Sequence, residues 1–181
     1  MPDVLTHYTL SYLIASRVMK PKYAVLVAFI GLLPDIDALI RIHRWITHSL
    51  IPLAIIGAIL TAITIYLKKQ YLKYVVIALT LYTLHIIMDM FTAATPILWP
   101  ITMQSYMINL GVIGAITDST ITITPTITVT AEPTNFTQQP ILEGPIITPL
   151  GAITTIAVAT IILVEYINNR QNKYRVRKLR S

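Results

Sequence analysis

The 181-residue chain holds four histidines, His7, His43, His48 and His85, all in its first half, interleaved with Asp35, Asp37 and Asp89. Imidazole and carboxylate groups hold divalent cations where no thiolate is present, and the chain has no cysteine. His85 and Asp89, four apart in sequence, fall on one helix face about a turn from each other and can grip the same ion. Asp35 and Asp37 follow Pro34, where a helix cannot remain regular, so both carboxylates can turn toward one centre. His43 and His48 are five apart, too far round a helix to share a face, which puts one in a loop and the other at the head of the next helix. Arg44 adjoins them, and its planar guanidinium suits bidentate contact with a phosphate. Any one of these histidines alone reads more simply as a hydrogen-bonded core residue, so the case for a metal rests on their convergence.

The elements that must position these residues are apolar. The composition is 55% hydrophobic and 12% charged, with a mean hydropathy of +0.67, which excludes an ordinary soluble domain. The net charge of +6 comes from basic residues that punctuate apolar runs, so it points to a membrane and not to nucleic acid. Without cysteine there is no disulfide scaffold and no thiol nucleophile. Runs 50–67 and 146–164 carry no charge over a spanning length, 71–91 spans with Lys73, His85 and Asp89 inside it, and 23–40 is broken by Pro34, Asp35 and Asp37. The stretch 4–17 is short; it spans or lies in the interface, and Asp3 and His7 with no basic start argue against a cleavable signal peptide. These runs predict an all-α integral membrane helix bundle of about five membrane helices.

Basic residues in short loops favour the cytoplasm. Arg17, Lys20 and Lys22, then Lys68, Lys69 and Lys73, then Arg170, Lys173, Arg175, Arg177, Lys178 and Arg180 fall on one side if every run spans. The N terminus is then outside and the C terminus in the cytoplasm, leaving Arg41 and Arg44 in an outer loop. On that topology His7, Asp35, Asp37, His43, His48, His85 and Asp89 gather at one membrane depth, although only Lys and Arg entered the reasoning. Ionisable groups in a span cost about 2.5–3.5 kcal/mol each on insertion scales and are usually functional. The Thr-Ile alternation over 120–130, with Pro125 as an edge or turn signal, predicts a small extracytoplasmic β cap between the last two helices. The expected division is 1–91 for the helical core with its polar site, 92–145 for the cap, 146–167 for the last membrane helix and 168–181 for a basic cytoplasmic tail. Trp45 and Trp99 read as interfacial belt residues, and the Asn135-Phe136-Thr137 sequon carries little weight.

His7, Pro34-Asp35-Ile36-Asp37, His43-Arg44-Trp45-Ile46-Thr47-His48-Ser49, Thr83-Leu84-His85-Ile86-Ile87-Met88-Asp89 and Leu98-Trp99-Pro100 together resemble the YdjM-type family of membrane-bound, predicted metal-dependent hydrolases. The resemblance covers roughly residues 1–108, and its most specific element is His-Arg-x-x-Thr-His-Ser downstream of Pro-Asp-x-Asp. Thr95 stands where that family's pattern usually has glycine, six residues after the motif aspartate. The family is distantly similar to zinc-dependent phospholipases C and S1/P1-type nucleases, which implies phosphoester hydrolysis at a helical His/Asp metal site; their late His-x-x-x-Glu pair has no counterpart here.

The expected activity is a membrane-bound metal-dependent hydrolase acting at the outer face on a lipid or lipid-linked phosphate, with zinc first and manganese or iron as other choices. His7, Asp35, His43, His48, His85 and Asp89 form the expected metal-binding set, Asp35 as ligand or bridge between two ions. His7 and Asp37 complete the site or orient ligands, Arg44 holds the substrate anion, and Thr47 and Ser49 support the loop; Asp35, Asp37 and Arg44 are the expected catalytic residues. Membrane lipids are the expected partners and nucleic acid is not. Two other readings stand: a transporter or proton relay, which requires the acids and histidines to be staggered through the bilayer, and a protein merely stapled by a saturated metal.

Overall fold

A computed structural model describes residues 3–42, 44–141 and 144–178. Asp3 starts helix α1 (Val4–Val18) as its N-cap, one carboxylate oxygen accepting the Thr6 N–H at 2.6 Å. Its other oxygen accepts the Thr148 N–H ahead of the last helix, and Leu5 N–H bonds to Ile146 O at 3.2 Å. Helix α2 (Pro21–Val27), with proline in its first turn where a missing N–H costs nothing, runs directly into a 3-10 helix over Ala28–Ile40. Thirteen residues is long for this tighter winding, which usually persists for only about 3–4. Pro34 lies inside it, where a regular α ladder is impossible.

Helices α3 (Leu50–Lys68) and α4 (Leu72–Met90) double back on each other around a turn at Lys69–Tyr71, with Gly57 set against the Leu79 side chain. Strands β1 (Gln104–Ile116) and β2 (Ile121–Pro133) pair antiparallel in a two-stranded ribbon, Leu110 opposite Ile127 and Val112 opposite Pro125. Both strands of such a ribbon are edges, so Pro125 breaks no interior ladder. Helix α5 (Pro149–Lys178) closes the chain.

Two expectations are corrected here. The architecture is not all-α, because the ribbon is part of it, and it does not contain five membrane helices. Among the described residues three helical stretches are long and apolar enough to cross a membrane: Pro21–Ile40, Leu50–Met90 and Pro149–Gln171. The physical reasons are length and polarity. At 15 residues α1 reaches about 22 Å, short of the roughly 30 Å hydrocarbon core. Its buried face is Thr6, His7, Thr9, Ser11 and Ala15, turned inward and not toward lipid. The runs expected as separate third and fourth spans are one 41-residue apolar stretch folded into the α3–α4 hairpin.

The purely apolar core is correspondingly small: Ala15, Ala24 and Leu81, packed by Tyr12, Ile14, Met19, Val27, Ile30 and Ile77. Large aliphatic side chains point outward instead, among them Ile55, Ile59 and Ile63 on α3 and Ile153 and Ile156 on α5. In water these faces would associate; in a bilayer lipid covers them. Thr9 and Thr155 hydroxyls meet at 3.0 Å to bind α1 to α5, and Gly31 lets the 3-10 helix close on Ser11.

A Cβ at position 31 would collide with the Ser11 side chain, so Gly31→Ala is expected to destabilise the bundle by about 1–3 kcal/mol. The readout is thermal unfolding in detergent, with Ser11→Gly recovering part of the loss; an unchanged Tm would contradict the contact. Burial opposes ionisation of Asp3, but the hydrogen bonds from Thr148 and Thr6 outweigh it and hold the carboxyl below its ordinary 3.8. The stability of wild type over Asp3→Asn is therefore expected in full above about pH 4 and to shrink as pH falls through the lower folded value. Melting curves of both proteins between neutral and acid pH check this, and a difference that grows on acidification would refute it.

Candidate metal centre

Three segments with different local reasons for their shape meet at the site. Helix α4 places His85 and Asp89 on one face, both 1% exposed or less. The 3-10 helix presents Asp35 and Asp37, then stops at Arg41, whose left-handed backbone (φ 59°) turns the chain sharply. Arg44 also sits in the left-handed region (φ 57°), and a short 3-10 turn over Ile46–His48 brings His48 inward. Two non-glycine residues in this region cost roughly 1–2 kcal/mol each. Asp37 offsets that cost: its Oδ2 accepts the Trp45 N–H at 2.8 Å, the Thr47 hydroxyl at 2.8 Å and His48 Nδ1–H at 3.0 Å. Ser49 donates its hydroxyl to Ile97 O, and the Tyr82 hydroxyl donates to Thr47 O at 2.9 Å. Gln139 N–H bonds to Arg41 O, so the chain after the ribbon secures the same corner.

Asp35, His48, His85 and Asp89 each turn one ligand atom to a common point, all four atoms within 4.8 Å of one another. His48 Nε2 lies 3.5 Å from Asp35 Oδ1, 3.4 Å from Asp89 Oδ2 and 3.4 Å from His85 Nε2. His85 Nε2 lies 3.4 Å from Asp35 Oδ1 and 3.9 Å from Asp89 Oδ2. Ligands about 2.0–2.2 Å from a tetrahedral ion are separated by about 3.3–3.6 Å, so these edges are close to those of a filled tetrahedron.

The tautomers point the same way. His85 Nδ1 is 2.7 Å from Gly31 O, which can only accept, and His48 Nδ1 faces the Asp37 carboxylate. Each ring therefore donates from Nδ1 and turns a bare Nε2 lone pair to the centre, the usual arrangement of a metal-ligating histidine with its outer partner. Two lone pairs and two carboxylate oxygens facing one another repel unless a cation sits among them. Asp35 Oδ1 is buried there without a hydrogen-bond donor. In the metal-free chain the nearest substitute is a proton: burial opposes it, but Asp35, Asp37 and Asp89 together push His48 up to about 10. Metal binding must expel that proton.

The remaining expected residues surround this set. His7 stacks on His85 with ring centroids 3.8 Å apart and brings Nε2 to 3.3 Å from Asp89 Oδ1, the oxygen turned away from the centre. Burial lowers the His7 pKa more than Asp89 raises it. Arg44 Nε donates to Asp89 Oδ2 at 3.0 Å and Nη1 to Ala94 O at 3.4 Å, while Nη2 is buried with no hydrogen-bond partner among the described residues. Asp37 holds the loop and His48 and is not among the four inward-facing ligands. His43 lies outside the described residues. The acids and histidines are gathered at the Asp89 end of α4 and are not staggered along it. Thr95 is fully buried, pairs with Tyr106 through two 2.9 Å backbone bonds and has no positive φ, so this loop does not require a glycine.

The description "YdjM inner membrane protein" matches residues 1–171, well past the 108 residues whose motifs first suggested it. The chain belongs to the YdjM inner membrane protein family. It is a membrane protein on that membership and on its three apolar helical stretches. No curated protein and no solved structure matches the chain. Sequence reasoning missed the Gly31 carbonyl as the partner of His85, since a backbone acceptor leaves no residue-type signal. It also missed Tyr82, although three residues before His85 on one helix it shares that inward side.

In this YdjM family member Asp37→Asn is expected to weaken divalent-metal affinity by about 10–100-fold, because the amide no longer holds His48 Nδ1–H as a carboxylate does. Zinc competition against a chromophoric chelator measures it, with circular dichroism confirming intact helices. Affinity equal to wild type would remove Asp37 from the site.

Proposed function

We propose that this protein is a membrane-bound metal-dependent hydrolase acting on a phosphoester of a lipid or lipid-linked substrate, with zinc as the preferred ion. The observation that carries the reading is the locked pair of imidazoles, His48 and His85, turned with Asp35 and Asp89 to one point inside an apolar bundle. A divalent ion there would polarise a phosphoryl oxygen and lower the pKa of bound water toward about 7. Asp35, with 23% of its side chain exposed against 1% or less for the other three ligands, marks the side from which substrate reaches the centre. The unpartnered Arg44 Nη2 offers an N–H to the substrate anion, and Arg44 Nε with His7 holds Asp89 in place.

The lipid assignment is supported by what adjoins the site. A cavity of about 360 Å³ opens beside Thr47 and Ser49, the neighbours of His48, and runs along Ile30, Leu33, Leu53, Ile56 and Leu60 with almost no polar lining. From Leu50 to Leu60 a helix advances about 15 Å, enough for a good part of an acyl or isoprenoid chain while its phosphate reaches the metal. The Lys and Arg bias supports a cytoplasmic opposite end and so a centre at the outer face of the cytoplasmic membrane, with the C terminus inside. The count of four protein ligands favours a second reading, a structural staple, since a saturated tetrahedron has no open position.

Zinc-loaded protein in detergent is to be assayed on phospholipids and polyprenyl phosphates. Hydrolysis is expected that a chelator stops, zinc restores and Asp89→Ala abolishes; Arg44→Lys is expected to lower kcat/KM by about tenfold or more with the metal content retained. Stoichiometric, non-exchanging metal without hydrolysis of either class would overturn the enzyme in favour of the staple.

A further inference from the structure

The end of the bundle remote from the metal centre carries its own cavity, in which basic and tyrosine side chains stand among apolar ones, independent of the reading above. Helix α4 runs from Leu72 to Met90, so Lys73 stands about 24 Å along it from Asp89, most of the thickness of a bilayer core. Around Lys73 lies an open cavity of about 850 Å³. Its walls are the corner between α1 and α2 (Arg17 to Lys20, with Tyr23 and Val27 of α2) and the hairpin turn (Tyr71, Lys73, Tyr74). The α1–α2 corner and the hairpin turn thus contribute three cations and three tyrosines to one concavity.

Arg17 is already paired with Glu165 of α5 at 2.5 Å, both half-exposed, so that pair forms a rim. Lys20 and Lys73 have no carboxylate partner among the described residues. The Lys73 ammonium is held over the Tyr74 ring at 4.9 Å from its centroid, a contact that orders the amine without neutralising it. Tyr23 and Tyr71 are exposed and bring hydroxyls to the depth at which tyrosine anchors helices at a membrane surface. If these lysines served only to orient the chain, no cavity would be needed; Lys68 and Lys69, at the same end, lie outside it. Basic pockets between membrane helices accept anionic lipid head groups, at about 1 kcal/mol, or fivefold in affinity, for each basic residue near the surface.

We propose that this cavity binds the phosphate head group of an anionic phospholipid, with Lys20 and Lys73 taking the phosphate oxygens, the tyrosine hydroxyls donating to the glycerol region and the acyl chains lying along the outward aliphatic faces. The proposal rests on the cavity and does not depend on the metal centre or on any hydrolysis.

The test uses the full chain, delipidated in neutral detergent and titrated with phosphatidylglycerol, phosphatidic acid or phosphatidylcholine under native mass spectrometry. Wild type is expected to retain one anionic lipid in strong preference to phosphatidylcholine. Lys20→Gln with Lys73→Gln is expected to weaken that retention about twenty-five-fold, Lys20→Arg with Lys73→Arg to preserve it, and Lys68→Gln with Lys69→Gln to leave it unchanged. Equal retention of phosphatidylcholine, or an equal loss in the Lys68/Lys69 variant, would reduce the effect to surface charge and overturn the site. Glycerol phosphate competing as well as the whole lipid would overturn the lipid and leave a soluble phosphate in its place. Thermal unfolding without lipid checks that the variants fold alike.

Discussion

Three buried or largely buried carboxylates, Asp35, Asp37 and Asp89, converge in a protein whose other buried polar groups are mostly Ser, Thr and His, and Arg44 is the cation the described chain sets directly against them. Excess negative charge of that kind is costly in a low-dielectric interior unless something positive joins it. Every irregular feature around the site serves to tolerate or relieve this excess. Asp37 spends one oxygen on three donors, Asp89 is shared between Arg44 and His7, and the two imidazoles direct their remaining lone pairs to the place where charge is missing. A divalent ion would complete the balance, and the distances among the four candidate ligand atoms suit one.

The surrounding architecture follows from that demand. A long α-helix through residues 28–40 would place the side chains of Asp35 and Asp37 about 200° apart, on different faces. The tighter 3-10 winding with Pro34 inside it lets one carboxylate reach the centre while the other braces the loop that carries His48. The two left-handed residues at Arg41 and Arg44 compress that loop between two membrane segments. Helix α1, too short to cross, is used as an inner wall: its polar face covers the site with His7, and Gly31 opposite Ser11 allows the approach.

Much of this was legible in the residues. His85 and Asp89 share a face because four positions make about one turn, and the uncharged run 50–67 reads as membrane helix because length and apolarity suffice. The Thr-Ile alternation over 120–130 has a period of two, and all of it but Thr120 lies in strand β2. What local pattern could not carry was counting and partnership. The count of five spans failed because 4–17 has the polarity of a span's flank but the burial of a core element, and because two runs form one hairpin. Arg44 reads from sequence only as a group for a substrate anion, and nothing in its spacing shows that two of its five N–H donors are turned to Asp89 and Ala94 O, residues about fifty positions away. Gly31 O and the triple acceptance at Asp37 Oδ2 depend on tertiary placement that no spacing encodes.

The clasp at Asp3 bears on biogenesis. The four inward-facing ligands are all present once the chain has been synthesised to Asp89, but the helix that covers them through His7 is tied down by Thr148 and Thr155, which emerge later. During insertion there is an interval in which the ligand set exists while its α1 wall lacks its final anchor. The α1 wall is therefore the last side of the ligand set to be fixed, and its final packing waits on the residues from Thr148 to Thr155.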